Sequence, residues 1–361
     1  MPTTILDEDI LYINENFPEK VELSESTILI TGGAGFLGFG FVNYFCRNAK
    51  ELNIKNILVL DNFILGRPKW LADIDRTYEQ LRVSSFDITK DDIGSIDGAN
   101  DASYVIHLAS IASPSFYRRY PLETVDANVW GLRKLLDYYQ QRPIKGLLFL
   151  SSSEIYGDPD PECIPTPENY RGNVSCVGPR ACYDEAKRFG ETLCYVFRQK
   201  YGMPISVARP FNNYGPGMAL RDKRAPADFA NAIMEDKSIE IFSNGSPTRT
   251  FCYITDAIVG YLKVMVCGRG EAYNIGMDKP EITITRLAEI FVEAGKIELN
   301  YRGEGVKYLP PPDEEYLQDS PNRRCPDISK AQNELNYTPS IIVQDGVGRF
   351  LRFLKENRSE P

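Results

Sequence analysis

The stretch TILITGGAGFLG, Thr27 to Gly38, decides how the rest of the chain is read. TILI is a short apolar, β-branched run, and the glycines follow it at once. Gly33-x-Gly35-x-x-Gly38 then opens a helical stretch from Phe36 to about Lys50, and NILVL, ending at Asp61, reads as a second buried strand. Strand, tight glycine turn, helix and strand make a βαβ unit. In such a unit Gly33 permits the tight turn, Gly35 lets backbone approach a pyrophosphate, and Gly38 lets helix and strand pack closely. The helix N-terminus then faces the phosphates. Asp61 is placed to accept hydrogen bonds from an adenosine ribose. An acid there repels a 2′-phosphate, so NAD(H) is favoured over NADP(H). The competing reading is a glycine turn beside an aspartate that caps a strand end.

The alternation continues along the chain. YVIHLAS (104–110), GLLFLSS (146–152) and ISVARP (205–210) read as strands, and 122–140 and 181–201 as helices. Strands alternating with helices predict an α/β fold, a doubly wound parallel Rossmann sheet, with a smaller C-terminal α/β domain. Residues 1–25 read as a polar, acidic N-terminal arm. The dinucleotide-binding domain spans 26–209, with 250–276 returning to it. The smaller domain takes 210–249 and 277–345, and 346–361 form a C-terminal helix and tail. The proline-rich stretch 309–326 reads equally as a mobile lid or a rigid surface connection. Asp87, in SSFDIT, falls where the strand after Asp61 should end, as an adenine contact or a turn residue. His107 lies inside an apolar strand and reads as a core histidine.

Composition excludes several classes. The 361 residues are 43% hydrophobic with a net charge of −9, enough for a proper core and too acidic for nucleic acid as the main partner. No apolar run approaches the length of a membrane helix, and the acidic N-terminus lacks the basic and apolar regions of a signal peptide, so the expected location is the cytoplasm. The eight cysteines include no CxxC; Cys46, Cys194 and Cys252 sit in apolar contexts as small hydrophobes. With a single histidine no metal site is expected.

The chemistry is expected at SSSEIYGD (151–158) and ACYDEAKRFGETL (181–193). Ligands of open α/β sheets bind outside the carboxyl ends of the strands, which is where Ser151, Ser152, Ser153 and Glu154 fall. Tyr183 and Lys187 are four residues apart, so they share a helix face. An ammonium beside a phenol favours the phenolate, and a serine hydroxyl at 152 can bond the same substrate oxygen. The unit can take a proton from an alcohol while hydride leaves the adjoining carbon.

TGGAGFLG, Asp61, HLAS, SSSEIYG, YDEAK and RPFNNYGP together resemble the extended short-chain dehydrogenase/reductases, the NAD-dependent nucleotide-sugar epimerases, dehydratases and decarboxylases. The resemblance spans about residues 26–345. HLASIASPSFYRRYP, SSSEIYGDP, GPRACYDEAKR and GSPTRTFCYITD draw it toward the decarboxylase branch, which acts on UDP-glucuronate. It implies Tyr183 as base, Lys187 as its partner, and Ser152, Ser153 and Glu154 over the sugar. Contacts to NAD are implied for Gly32, Gly33, Gly35, Phe36, Leu37, Gly38, Asp61, Asn62, Asp87 and Ile88. Leu108, Ala109, Ser110, Asn128, Tyr183, Lys187 and Pro210 complete that set. A nucleotide-sugar substrate, expected to be UDP-linked, falls to Tyr117, Glu154, Asn212, Arg224, Phe242, Arg249 and Arg324. Asn212 belongs at the diphosphate, Arg249 at a phosphate or the sugar, and Arg324 near a carboxylate.

Members of this family oxidise C4 first. A 4,6-dehydratase then needs an aspartic acid where this chain has Ser153, and serine cannot protonate a leaving hydroxyl. The expected reaction is therefore UDP-glucuronate to UDP-xylose and CO2, with 4-epimerisation or 4,6-dehydration as the alternatives and a non-catalytic NAD-binding protein as the outlier. Arg118 and Arg119 either recognise an anionic sugar or lie on a solvated face. The family also implies a homodimer through a four-helix bundle built by the helices near 122–140 and 183–201.

Overall fold

A computed structural model describes residues 3–311, 313 and 318–358. The chain opens with helix α1 (Ile5–Asn16), strand β1 (Thr27–Thr31) and helix α2 (Phe36–Asn48). Then come β2 (Asn56–Asp61), α3 (Lys69–Asp75), β3 (Leu81–Ser85) and β4 (Ala102–His107). Short helices α4 (Pro114–Tyr117), α5 (Pro121–Asp126) and α6 (Leu132–Tyr139) precede β5 (Gly146–Leu150), the long α7 (Ala181–Tyr201) and β6 (Ile205–Pro210).

The second half is built of smaller pieces. These are β7 (Asn213–Tyr214), α8 (Ala225–Met234), β8 (Ile239–Ile241), β9 (Thr248–Arg249), β10 (Cys252–Tyr253), α9 (Ile254–Cys267) and β11 (Ala272–Ile275). They continue with β12 (Ile282–Thr283), α10 (Ile284–Leu299), β13 (Val306–Tyr308), β14 (Arg323–Arg324), α11 (Ser329–Leu335) and α12 (Val343–Glu356).

Seven strands form one sheet in the order β11-β6-β5-β4-β1-β2-β3. Every pairing in it is parallel. Parallel strands are covered on both faces, which is why β1 and β5 are apolar and buried along their whole length. The strand order reverses between β1 and β4, so the crevice beyond their carboxyl ends is the switch point where such sheets take ligands. The strands end earlier than the apolar runs suggest, β4 at His107 and β5 at Leu150. Residues 108–110 and 151–154 leave the sheet to line that crevice. The helix expected over 122–140 is interrupted by a π-turn at Ala127–Gly131. There the buried Asn128 amide donates to Thr124 O at 2.7 Å and to Ser110 Oγ at 2.9 Å, a distortion of the kind that clusters at functional sites.

The N-terminal stretch, expected as an arm, is docked. Thr4 caps α1 in a reciprocal box with Asp7, which fixes where the helix starts. Ile10, Ile13 and Phe17 enter the main core with β1 and α2. Asp9 accepts from Arg349 of α12 at 2.6 Å and from the Tyr253 hydroxyl at 3.0 Å; Tyr12 donates to Asp256 at 2.5 Å. Burial raises the Asp9 carboxyl to about 6 against the pull of Arg349. Of the proline-rich stretch 309–326, residues 312 and 314–317 lie outside the described residues, as do 359–361 of the tail.

Phe17 is fully buried. Phe17→Ala is expected to cost about 3–5 kcal/mol in urea unfolding, whereas a loose arm would leave the midpoint unmoved.

Candidate functional site

The glycine turn is built by contacts rather than by composition alone. The left-handed backbone belongs to Gly32, with φ +72°, where a Cβ would lie 2.5 Å from Ala109 N. This corrects the reading of Gly33 as the turn-former: Gly33 has no positive φ, and its constraint is strand β2, since a Cβ there would meet Val59 Cγ1 at 2.7 Å. Gly38 packs helix on turn, its missing Cβ falling 2.2 Å from Gly33 O. Gly35 has only Gly32 O at 3.4 Å, so its outer side is open. Gly35 is also the N-cap of α2, with no side chain satisfying the first-turn amides, and no acid stands in that turn. Uncapped N–H groups, the positive end of a helix and an open glycine edge fit a pyrophosphate.

Asp61 ends β2 and its carboxylate accepts from Ala34 N at 3.0 Å and Phe63 N at 2.8 Å. It thus locks the glycine turn itself; burial raises its proton affinity. The exposed Asn62 caps Ile64 N at 3.1 Å. Asp87 takes the turn role, accepting from Thr89 N at 3.0 Å and pairing with Lys90 at 3.0 Å. Ile88 is core and packs on Gly131.

A cavity of about 470 Å³ runs from this turn to the end of β5. Gly32, Gly35, Phe36, Leu37, Gly38, Leu108, Ser110 and Pro210 line one part; Tyr117, Ser152, Ser153, Glu154, Tyr183 and Lys187 line another. Asn212, Arg224, Phe242 and Arg249 close it from the smaller half. Gly33, Asp61, Asn62, Asp87, Ile88, Ala109, Asn128 and Arg324 are not in its wall.

Helix α7 presents the reactive pair. Tyr183 stacks on Tyr117, ring centroids 5.3 Å apart and 12° from parallel. Burial pushes the Tyr183 hydroxyl up to about 12, while a hydrogen bond with Ser152 pulls it down. Lys187 donates to Leu150 O at 2.6 Å and lies 5.8 Å from the Tyr183 ring centroid. Burial brings its ammonium down to about 7, with Cys194 and Glu191 acting the other way. Burial thus sets a weakly held ammonium proton beside a buried phenol.

Glu154 stands at the turn after β5, between arginines. Arg180 Nη2 hydrogen-bonds its Oε2, and Arg324 Nη2 lies 3.0 Å from the same oxygen. Burial opposes ionisation, yet Arg180, Arg324 and Arg249 together hold the carboxyl down to about 2. Arg324 also donates to Gly157 O at 3.1 Å, and its Nη1 has no hydrogen-bond partner in the protein. Arg249 donates to the carbonyls of Thr248 and Pro321 at 2.7 and 2.5 Å. Burial, then the charge of Arg324, lowers it to about 10.

The remaining sequence-assigned groups are placed as follows. Asn212 sits at φ +43° and donates to Thr250 O at 2.8 Å. Arg224 grips Asp222 through two bonds, 2.5 and 2.8 Å, over the Phe36 ring. Arg118 pairs with Asp313 at 3.2 Å and also lines the cavity. Sequence reasoning missed Arg180 and Asp184. Arg180 precedes Tyr183 by three residues and Asp184 follows it by one, so helical spacing around the tyrosine was the available signal. Among the described residues no group of three or more histidine, cysteine, aspartate or glutamate side chains is gathered to hold a metal ion, and no helix is long and apolar enough to cross a membrane.

A doubly wound parallel sheet, a glycine cradle at its switch point and a Tyr–Lys pair at the neighbouring strand end define a dinucleotide-dependent enzyme that works on an alcohol. The chain belongs to the NAD dependent epimerase/dehydratase family, whose model matches residues 28–276; its cofactor is NAD. It is 33% identical to UDP-glucuronic acid decarboxylase 6 of Arabidopsis thaliana over 90% of this chain and 87% of that protein. An epimerase of Methanothermobacter thermautotrophicus superposes with a TM-score of 0.80 at 26% identity, covering 96% of each chain. The UDP-glucuronic acid 4-epimerase of Bacillus cereus, solved with UDP-glucuronic acid and NAD, gives 0.72 at 25% identity over 91% of this chain and 99% of that one.

His107 is buried in β4, its Nδ1 2.7 Å from Thr31 Oγ1 and its ring stacked 6.0 Å from Phe149. Burial, then the charge of Lys187, lowers its pKa from 6.5 to about 3. A neutral native imidazole that charges on unfolding makes stability fall as pH drops below about 6.5. The single histidine proton resonance is expected not to titrate between pH 8 and 5, and His107→Gln to lose less stability over that range than the parent. A histidine titrating near 6.5 in the folded protein would contradict this.

Proposed function

We propose that this chain converts UDP-glucuronate into UDP-xylose and CO2 through a 4-keto intermediate, with NAD+ regenerated. The observation that carries the reading is Glu154, ringed by Arg180, Arg324 and Arg249 in the cavity that Tyr183 and Lys187 line. Burial first, then the charge of Glu154, raises Asp184 to about 7. Three guanidiniums therefore face one firmly ionised carboxylate, and the surplus suits a sugar acid. The decarboxylases among its relatives support the same choice.

In this reading Tyr183 takes the C4 hydroxyl proton, Ser152 hydrogen-bonds the same oxygen, and Lys187 passes charge away from the phenol. NAD+, when bound, takes up the hydride from C4, returns it at the end, and adds a positive charge that favours the phenolate. The ketone at C4 stands β to the carboxylate on C5. The C5–carboxylate bond breaks, its electron pair moves toward the carbonyl, and CO2 leaves. C5 then takes a proton from the site. Glu154 and Ser153 hold the sugar; Arg324 and Arg249 answer its carboxylate and phosphate, and Asn212 the diphosphate. Tyr117, Arg224 and Phe242 complete the substrate pocket.

The cofactor is held by Gly32, Gly33, Gly35, Phe36, Leu37 and Gly38, with Asp61 and Asn62 toward its ribose and Asp87 and Ile88 toward its adenine. Leu108, Ala109, Ser110, Asn128 and Pro210 flank the rest.

With UDP-glucuronate and NAD+, the expected products are CO2 and UDP-xylose. UDP-galacturonate without CO2 would transfer the assignment to a 4-epimerase, and a 4-keto-6-deoxy product from a neutral nucleotide hexose to a dehydratase. Tyr183→Phe is expected to reduce turnover by about 10²–10⁴-fold while NAD still binds; unchanged behaviour would mark a non-catalytic binding protein.

The assembly belongs to the proposal too. Leu122 and Trp130 near α5, and Phe189, Tyr195 and Val196 on α7, are exposed large apolar side chains, suited to a homodimer through a four-helix bundle. Tyr195→Glu is expected to shift sedimentation to the monomer. Eight free thiols agree with a cytoplasmic setting.

A further inference from the structure

We infer that Arg180 is a positioning residue: its guanidinium aims Glu154 and keeps it a carboxylate, while Asp184 fixes that guanidinium from its other side. The inference rests on the reading of Glu154 as a working group of the sugar site. Arg180 is the N-cap residue of α7, and its carbonyl accepts from Tyr183 N at 3.0 Å and Asp184 N at 3.1 Å. One residue thus ties the tyrosine by backbone and the glutamate by side chain. Arg180 Nη2 meets Glu154 Oε2, and Nε lies 3.5 Å from Asp184 Oδ2. The arginine side chain is 14% exposed and that of Asp184 7%, so neither charge is carried by solvent.

Arg324 pairs with the same Glu154 Oε2 at 3.0 Å, but from β14, so it shares the charge without tying Glu154 to the start of α7. Arg324 is shared with Gly157 O, and Arg249 directs its donors to the carbonyls of Thr248, Pro321 and Asn322. The groups that face Glu154 are Arg180, Asp184 and Tyr183 from α7, Tyr117 from α4, Arg249 from β9 and Arg324 from β14. Of these Arg180 alone touches both acids. Among the described residues neither Asp184 Oδ1 nor Arg180 Nε has a hydrogen-bond partner, so the two side chains are held together by opposite charge across 3.5 Å. Two carboxylates around one guanidinium do not both ionise easily, and the raised Asp184 is the one that yields.

The test is made first on the ligand-free protein. With ¹³C-labelled glutamate, and Glu154→Gln to assign the signal, the Glu154 carboxyl carbon is expected to stay flat between pH 4 and 8. In Arg180→Met it should titrate within that range, and in Arg180→Lys remain flat or nearly so. A signal that is flat in all three overturns the inference. Should Arg180→Met fold poorly, Arg180→Met with Asp184→Asn removes both charges together and is read in the same way. The second arm is kinetic, on the nucleotide sugar the enzyme turns over. Arg180→Met is expected to lower kcat at least tenfold with KM within twofold, the loss narrowing as pH rises, and to add nothing in the Glu154→Gln background. A raised KM, or losses that multiply in the double variant, would make Arg180 a direct substrate anchor and overturn the positioning role. The resonance arm needs no substrate, so failure to decarboxylate UDP-glucuronate leaves it decisive.

Discussion

A single buried hydrogen bond sets where the chemistry can occur. The Lys187 ammonium donates to the carbonyl of Leu150, the last residue of β5, at 2.6 Å. The residues that follow Leu150 are Ser151 to Glu154, so the bond pins α7 to the segment it must work with. The same ammonium lies over the Phe149 ring at 5.1 Å and the Tyr183 ring at 5.8 Å. Close approach makes this possible: a Cβ on Gly190 would come within 2.5 Å of Phe149. Among the described residues no carboxylate hydrogen-bonds Lys187. A buried ammonium held by a carbonyl and ring faces is poorly compensated, and its proton is correspondingly easy to lose.

The two ends of the cavity solve opposite problems. At the Tyr183 end burial dominates: it raises the phenol and lowers the ammonium, so it disfavours charge on both. A positive cofactor ring, when bound, would favour the phenolate. At the Glu154 end arginines dominate, and a partly buried carboxyl stays ionised. The contrast follows from geometry, because α7 carries lysine into an apolar wall at β5 and arginine into a set of carboxylates. Groups whose surroundings drive their proton affinities apart can divide acid and base roles.

Much of this was legible in the sequence, for reasons that differ by residue. The βαβ unit was readable because Gly35 and Gly38 answer to backbone of the same turn, and Gly33 to the next strand of the same unit. Gly32 was misjudged in favour of Gly33 because the clash that forbids a side chain there comes from Ala109, more than seventy residues away. Tyr183 and Lys187 were readable from helical spacing. Arg180 has the same local signal, but its partner Glu154 comes from another strand end, and no periodicity shows that. The arm was misread for a similar reason. Ile10, Ile13 and Phe17 look sparse along the chain, and only the groove between α2, α9 and α12 makes them a core.

The run ALRDKRAPADF, residues 219–229, bridges the cavity with polar side chains. Arg221 donates to Leu65 O in the loop after β2, and Ser113 Oγ, after β4, donates to Asp222 O at 2.5 Å. Arg224 grips Asp222 and lies over Phe36 at the start of α2. Polar bonds from one short segment therefore reach three parts of the cofactor crevice. An apolar interface of the same extent would hold by area and resist opening. The Ser113–Asp222 bond is buried and the arginine bonds are partly exposed, so directed polar contacts fix how this segment lies over the crevice.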